Sequence, residues 1–505
     1  MTNLHHPGDG PTLRRLAEIA GARVVNAPAE EIVVPSISLD SQALEPGGMF
    51  AALPGTRVHG ATFAAGAAAG AILTDDEGFA IIDGTDNRRP VLIVDDVRAV
   101  LGAVSAEIYG HPSERMTLIG VTGTSGKTTT TYLLERGLTA AGCKVGLIGT
   151  TGTKINGVDV RTSLTTPEAP TLQALFARMV REGVTHVVME VSSHALVLGR
   201  VGGTKFDVAG FTNLSQDHLD FHPTMEEYFS AKAMFFDPAS PLAARRAVVC
   251  VDDEWGEKMA QVAERPVRVG TRGQADLDAA AQQLAVEDTG AQEIAIELRG
   301  TRHTFRLPMP GAFNVANAAL AVALADAVGV KAGEFIAGLE AASVPGRMER
   351  IDCGQDFVAV VDYAHKPAAV AAVLDTLRGQ VQGRVAVAVG AGGDRDASKR
   401  PLMGAEAARR AELVIVTDDN PRTEDPATIR AAVLAGAREA AEPGTEVREV
   451  GDRRNAIEQL VAWARPGDAV IVVGKGHEVG QIIGDTTHHF DDREEMRRAL
   501  TGGGE

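Results

Sequence analysis

Apolar runs of about five residues, separated by stretches in which apolar side chains recur every three or four positions, organise most of this chain. The clearest runs are Met116-Thr-Leu-Ile-Gly-Val121, Val145-Gly-Leu-Ile-Gly149, His186-Val-Val-Met-Glu190, Phe357-Val-Ala-Val-Val361, Arg384-Val-Ala-Val-Ala-Val389, Leu413-Val-Ile-Val-Thr417 and Ala469-Val-Ile-Val-Val473. Runs of this kind read as strands buried on both faces, which calls for a parallel sheet covered by helices. Between them the helical period holds over 127–141, 171–182, 367–377, 403–410 and 426–441. Strand and helix alternate, so the chain is α/β. Nearer the N-terminus, Glu31-Ile-Val-Val-Pro35 and Pro90-Val-Leu-Ile-Val94 are strand-like, 64–70 is an Ala-rich helix candidate and 97–109 a helix. The pattern changes over 271–306, where Glu293-Ile-Ala-Ile-Glu-Leu298 alternates like a strand exposed on one face and predicts antiparallel additions.

Two breaks divide the alternation. Gly110-His-Pro-Ser113 and Val344-Pro-Gly346 are turn-prone, because Pro cannot extend a helix and Gly caps one readily. The expected architecture is three domains: a small α/β domain over 1–112, a central P-loop-type parallel-sheet domain over 113–343, and a Rossmann-like doubly wound domain over 344–505. A length of 505 residues agrees, at roughly 150 per domain.

Charge narrows the partners. With 49 Lys+Arg against 67 Asp+Glu the formal net charge is −18, which repels a phosphate backbone at long range. Only 15 Phe, 4 Tyr and 2 Trp are available to stack on bases, so nucleic acid is not an expected partner. Cys143, Cys250 and Cys353 are widely spaced, without a CxxC pair, and fit neither a disulfide framework nor a zinc site. The N-terminus lacks the apolar core of a signal peptide, and the stretch 60–73 is too short to span a bilayer. A cytoplasmic monomer without membrane insertion is expected.

Between a strand and a helix lies Gly123-Thr124-Ser125-Gly126-Lys127-Thr128-Thr129. Glycines let backbone N–H groups converge on phosphate oxygens, the lysine neutralises charge, and the Thr128 hydroxyl can ligate Mg²⁺. The strict P-loop spacing fails, since Val121 stands where its first glycine would be. The context is nevertheless that of a phosphate cradle.

This shortened loop is similar to that of the Mur ligase family, ATP-dependent amide-forming enzymes that build the peptidoglycan stem peptide. Glu190-Val-Ser-Ser-His194, Asn213-Leu-Ser-Gln-Asp-His218-Leu-Asp220, Lys232, Gly311-Ala-Phe-Asn314-Val-Ala-Asn317, Pro345-Gly-Arg347 and Asp362-Tyr-Ala-His365-Lys-Pro367 resemble family motifs in family order. Gly392-Gly-Asp-Arg395-Asp, Asp419-Asn420-Pro421-Arg422 and Gly474-Lys-Gly-His-Glu478 resemble the family member that adds diaminopimelate.

The resemblance implies a ligase that takes UDP-MurNAc-L-Ala-D-Glu, ATP and meso-2,6-diaminopimelate, and that activates the D-Glu γ-carboxylate as an acyl phosphate. It implies a catalytic set of Lys127, Lys232, Glu190, His218, Asp362 and His365. The implied metal set is Thr128, Glu190, His218 and Lys232, the last as a carbamyl-lysine, holding Mg²⁺. ATP contacts would come from the loop, Asn314, Asn317 and Arg347. The nucleotide-sugar dipeptide would meet Leu39, Ser41, Thr165, Thr166, Ser192 and Arg200, with a weaker match at Thr56, Arg57 and Val58. Leu198 departs from a glutamine found in some relatives, so that contact is either lost or made by another residue. Diaminopimelate would meet Arg395, Asp419, Asn420, Pro421, Arg422, Gly474 and Glu478. A fork-shaped arginine suits its distal carboxylate and an acid suits its distal ammonium, which makes Arg422 the main discriminator against lysine.

Rival readings are the same reaction with LL-diaminopimelate or L-lysine, a folate polyglutamylating ligase, and a P-loop kinase or nucleotide switch. The kinase or switch would need only the central region, and the folate ligase would lack the Asp419–Arg422 motif.

Overall fold

The computed structural model describes residues 10–27, 31–55, 57–219, 221–287 and 290–502. Thr56 and Asp220 fall outside them.

Three sheets carry the architecture. The first has five strands in the order Arg23–Val25, Val91–Ile93, Ala71–Thr74, Met49–Ala51, Ile37–Ser38; only the first pair is antiparallel. The expected strand at 31–35 does not form: Val33 makes a lone bridge to Thr12, and the sheet takes Ile37–Ser38 instead. Pro35 explains the shift, because it has no N–H to give a ladder. The Ala-rich segment is a 3-10 helix, Gly60–Gly66, and not an α-helix over 64–70. Small side chains bury too little there to hold an α-helix.

The central sheet has eleven strands. Its parallel heart runs Val267–Gly270, Ala247–Cys250, Val208–Phe211, Thr117–Thr122, His186–Glu190, Val145–Gly149. Ala279–Val286, Gln292–Leu298 and Thr301–Leu307 extend one edge, with antiparallel pairing between them, as the alternation predicted. The opposite edge also carries an antiparallel addition, Gly152–Ile155 and Val158–Val160, which no pattern in the sequence announced. Both faces of the heart are covered by apolar clusters, one built on the helix Ala312–Ala327 and one on Ala169–Arg181.

The third sheet orders Glu349–Arg350, Val358–Asp362, Ala469–Val473, Val385–Val389, Leu413–Val416, Glu446–Glu449, all parallel except the first. A separate hairpin, Gly480–Ile483 with Thr486–His489, follows it.

Strand order reverses around Thr117–Thr122, which lies between Val208–Phe211 and His186–Glu190. Open α/β sheets gather ligands beyond the carboxyl ends of strands at such a switch point. The first domain docks beside it. Helix Val97–Ile108 meets the turn at 199–203 so closely that a Cβ on Gly102 would stand 2.3 Å from the Gly202 carbonyl carbon.

Candidate active site

The loop 123–126 leaves the central strand and enters helix Lys127–Ala140, whose N-cap Gly126 has φ 87° and no side-chain cap. The first-turn N–H groups are therefore aimed out of the helix end, which suits an anion. Lys127 curls back over the loop, its Nζ donating to Gly123 O at 3.0 Å and Thr124 O at 3.1 Å. Burial, and next the charge of Lys366, push the Lys127 ammonium down to about 8.

Glu190, at the end of its strand, is buried and accepts from Thr128 Oγ1 (2.9 Å), Thr150 N (2.9 Å) and Thr150 Oγ1 (3.1 Å). Among the described residues no Lys or Arg forms an ion pair with it. A buried carboxylate with only neutral donors fits a divalent cation. No group of three Asp, Glu, His or Cys side chains among the described residues is arranged to hold a metal ion. Mg²⁺ needs few protein ligands, because it keeps waters and substrate oxygens in its shell.

His218 has φ 54° and pairs with Asp217 at 3.1 Å, and its ring meets His194 edge-on at 4.9 Å. Desolvation holds its imidazole below the ordinary range although Asp217 opposes this. Lys232 is 1% exposed; its Nζ donates to Gly123 O at 3.0 Å and lies 4.6 Å from the Tyr228 ring centre. Burial, then Lys127 and Lys366, hold the Lys232 amine well below the ordinary lysine range. The structure thus gathers Thr128, Glu190, Lys127 and Lys232 around one loop, with His218 beside Tyr228.

From the third domain, Arg347 Nη2 donates to Thr128 Oγ1 at 3.1 Å, and its guanidinium sits 4.1 Å from the Tyr363 ring centre. Asp362 faces the linker instead of the loop: its carboxylate accepts from Met348 N (2.6 Å) and Ala364 N (2.7 Å). His365 is turned to its own chain, Nδ1 lying 2.9 Å from Tyr363 O. These two shape the strand end that presents Arg347 and Lys366.

The asparagines divide. Asn317 touches the loop, since a Cβ on Gly126 would lie 2.4 Å from its Oδ1. Asn314 is spent within the protein, donating to Pro310 O at 2.7 Å and accepting from Asn317 Nδ2 at 3.1 Å. It orients Asn317 and does not itself reach the loop.

Thr165 and Thr166 lie beside Glu190: Thr165 Oγ1 is 3.2 Å from Thr150 Oγ1, and Thr166 Oγ1 donates to Glu190 O at 2.9 Å. Ser192 caps helix Ser193–Val197. Arg200 pairs with Glu168 at 2.8 Å, a partner that the sequence did not single out. Leu39 and Ser41 lie in the first domain, partly exposed, and Arg57 and Val58 are exposed on its surface. At Leu198 the carbonyl accepts from Arg98 Nη1 at 3.4 Å.

In the third domain, Asp419, Asn420, Pro421 and Arg422 follow the strand Leu413–Val416, and Gly474 to Glu478 follow Ala469–Val473. Asn420 Nδ2 donates to Glu478 Oε2 at 3.0 Å, and Asn420 Oδ1 accepts from Lys475 Nζ at 3.0 Å and from Ile482 N at 2.9 Å. The amide therefore holds Glu478 in place. Burial and then Asp419 push the Glu478 carboxyl up. Arg422, with φ 53°, donates to Gly393 O at 2.7 Å, while Arg395 is exposed and bonded only to the neighbouring Asp394 carbonyl at 3.0 Å. His477 Nε2 lies 3.3 Å from Thr150 O, so one turn links this cluster to the partner of Glu190.

Sequence reasoning missed Asp217, Lys366, Lys475 and Arg453. The first three lie inside quoted motifs, where their position was a usable signal. Arg453, fully buried, pairs with Asp492 and donates to Asp418 O (3.2 Å) and Val473 O (2.9 Å), tying the two strand ends together. Nothing in its sequence context marked it.

A UDP-N-acetylmuramoyl-L-alanyl-D-glutamate–2,6-diaminopimelate ligase of Corynebacterium glutamicum is 63% identical over 479 residues, which cover 93% of this chain and 92% of that protein. The chain belongs to the Mur ligase family. A relative of the same description from Streptomyces avermitilis is 47% identical over 491 residues, covering 96% of each. The Mur ligase middle-domain model matches residues 121–325, and the Mur ligase glutamate ligase-domain model matches 346–476. A solved structure described as a UDP-N-acetylmuramoyl-L-alanyl-D-glutamate–2,6-diaminopimelate ligase aligns with TM-score 0.66 at 30% identity, covering 98% of this Mur ligase and 99% of that chain. MurF from Acinetobacter baumannii shares the fold, with TM-score 0.66 at 20% identity over 99% of each chain. As in the sequence expectation, the family fold is three-domain α/β.

Proposed function

We propose that this ligase joins meso-2,6-diaminopimelate to the D-Glu γ-carboxylate of UDP-MurNAc-L-Ala-D-Glu, with conversion of ATP to ADP and phosphate, as a soluble cytoplasmic enzyme. Its described residues include no helix long and apolar enough to cross a membrane. One observation carries the reading. The turn 474–478 brings Glu478 to Asn420 on one side and His477 to Thr150, the partner of Glu190, on the other. An amine held by the third domain is thereby brought toward a carboxylate activated at the phosphate loop.

A carboxylate is a poor electrophile until a phosphoryl group is transferred to it, and that transfer depends on positioning and charge neutralisation. The N-terminus of helix Lys127–Ala140 orients N–H donors toward the phosphates, and Lys127 and Arg347 bring positive charge from two domains. Tyr363 holds the Arg347 guanidinium by its ring face. Thr128, Glu190 and His218, with Lys232 as a carbamate, would hold Mg²⁺, which when bound neutralises charge on the phosphate oxygens. Lys232 suits that modification because a buried, neutral amine can attack CO₂, forming the N–C bond and releasing a proton. In this reading Glu478 would receive the distal ammonium of diaminopimelate, and Arg422 and Arg395 its distal carboxylate.

The test is product formation by the purified enzyme from UDP-MurNAc-L-Ala-D-Glu and ATP, with meso-diaminopimelate, LL-diaminopimelate and L-lysine supplied separately. Tripeptide formed with meso-diaminopimelate well above the other two is expected. ATP turnover without an amide product would return the kinase or switch reading, and preference for L-lysine would overturn the assignment of Arg422.

A further inference from the structure

Three lysines converge on two carbonyl oxygens of the phosphate loop. Lys127 Nζ reaches Gly123 O and Thr124 O, Lys232 Nζ reaches Gly123 O, and Lys366 Nζ reaches Thr124 O at 3.0 Å. The first two belong to the central domain. Lys366 comes from the third, between strand Val358–Asp362 and helix Pro367–Arg378. Its counter-charge is again in the central domain: Asp217 Oδ2 lies 2.7 Å from Lys366 Nζ, with the two side chains 6% and 8% exposed respectively. Lys366 is the N-cap residue of its helix, in extended conformation, and Pro367 follows at the first helical position. The fixed φ of proline makes this a rigid base for a long side chain.

A buried ion pair across a domain seam contributes little net stability, because desolvation offsets attraction, yet losing one partner strands the other charge. Such a pair chiefly dictates which arrangement of the two bodies is allowed. Here the pair also touches the loop. Thr124 O is shared by two ammonium groups, Lys127 and Lys366, which repel each other. A phosphate in the loop would draw Lys127 off that oxygen and leave it to Lys366. Loading the loop therefore strengthens the seam.

We propose that Lys366 is a positioning residue that locks the third domain onto the loaded phosphate loop, through Asp217 and the Thr124 carbonyl, and so couples delivery of the amine to the presence of ATP. This rests on the ligase reading given above.

The test uses the full-length enzyme as wild type, Lys366→Met, Asp217→Asn and the double variant, with circular dichroism to verify folding. The steady-state constants for all three substrates are measured, together with the Kd of a non-hydrolysable ATP analogue. A distance between fluorescent labels on the central and third domains is followed as the analogue is added. Lys366→Met should lower kcat by about tenfold or more, raise the diaminopimelate KM and, because the coupling is reciprocal, also raise the analogue Kd by about threefold or more. The analogue-dependent shortening of the inter-label distance should be lost. The double variant should be no worse than the poorer single variant, as expected for two residues acting as one unit. Unchanged kcat and amine KM, additive losses, or an analogue Kd within about twofold of wild type would each overturn the proposal. If Lys366→Met fails to fold, Asp217→Asn carries the same measurements. The label distance reads the latch without the chemistry, so a wild type that closes on the analogue but makes no amide would refute the ligase reading and not the latch.

Discussion

Gly126→Ala offers a quantitative test of the phosphate loop. Gly126 sits at φ 87°, ψ −14°, immediately before helix Lys127–Ala140. An L-residue forced into the left-handed region costs about 1–2 kcal/mol. The new methyl would also stand 2.4 Å from Asn317 Oδ1, too close for any real contact. Asn317 cannot yield freely, because its Nδ2 donates to Asn314 Oδ1 at 3.1 Å and Asn314 is itself tied to Pro310 O at 2.7 Å. Breaking that buried hydrogen bond costs about 1 kcal/mol more. The binding-competent loop is thus disfavoured by about 2–3 kcal/mol, which corresponds to about 30- to 150-fold in affinity. Titration calorimetry with an ATP analogue and Mg²⁺ should show that loss, and kcat/KM for ATP should fall in step. Asn317→Ala removes the collision but not the backbone strain, so the cost of Gly126→Ala measured in an Asn317→Ala background should be smaller by about one-third to one-half than its cost in wild type. An affinity of Gly126→Ala within about threefold of wild type, or the same cost in both backgrounds, would refute the reasoning.

Three further outcomes are expected. Arg422→Ala should raise the diaminopimelate KM by about tenfold or more while leaving that for ATP within about threefold, since the lost charge-assisted pair is on the amino acid alone; equal amino-acid KM values would refute the assignment. Lys232→Ala should abolish most activity, and wild-type enzyme handled in CO₂-free buffer should lose activity that bicarbonate restores; wild-type rates in the variant would exclude the role. His477 is buried and neutral, its imidazole pushed down to about 3 by desolvation and then by Arg347. The unfolded chain therefore binds a proton that the folded one refuses between about pH 6.5 and 3, and stability falls as pH drops, by up to ~1.4 kcal/mol per unit from this group. Urea midpoints at pH 7 and pH 5 should show a shallower decline in His477→Asn than in wild type, and identical slopes would contradict the burial argument.

Local pattern determined much of this protein. Five-residue apolar runs alternating with helical patterns fit strands buried on both faces of a parallel sheet, so the strands at 117–122, 186–190, 385–389 and 469–473 were legible from the pattern along the chain. Gly123 to Thr128 was legible too, because a phosphate cradle needs glycines, a cation and a hydroxyl within one turn. Segments with little to bury were read poorly: the strand expected at 31–35 moved to Ile37–Ser38, and the Ala-rich helix lies upstream of its expected place as the 3-10 helix Gly60–Gly66. What a polar side chain does once its chain is folded depends on neighbours that are distant in sequence. Asn314 was expected at ATP and Asp362 in catalysis; in the folded chain Asn314 donates to Pro310 O and the Asp362 carboxylate accepts from Met348 N, as burial of polar groups requires. Lys366 lay inside a family-like motif but was given no role. Only docking of the third domain places its ammonium between Asp217, 149 positions earlier, and the loop carbonyl of Thr124. Residue type and spacing settled which chemistry was available; long-range packing, through burial and charge pairing, decided which residues were free to perform it.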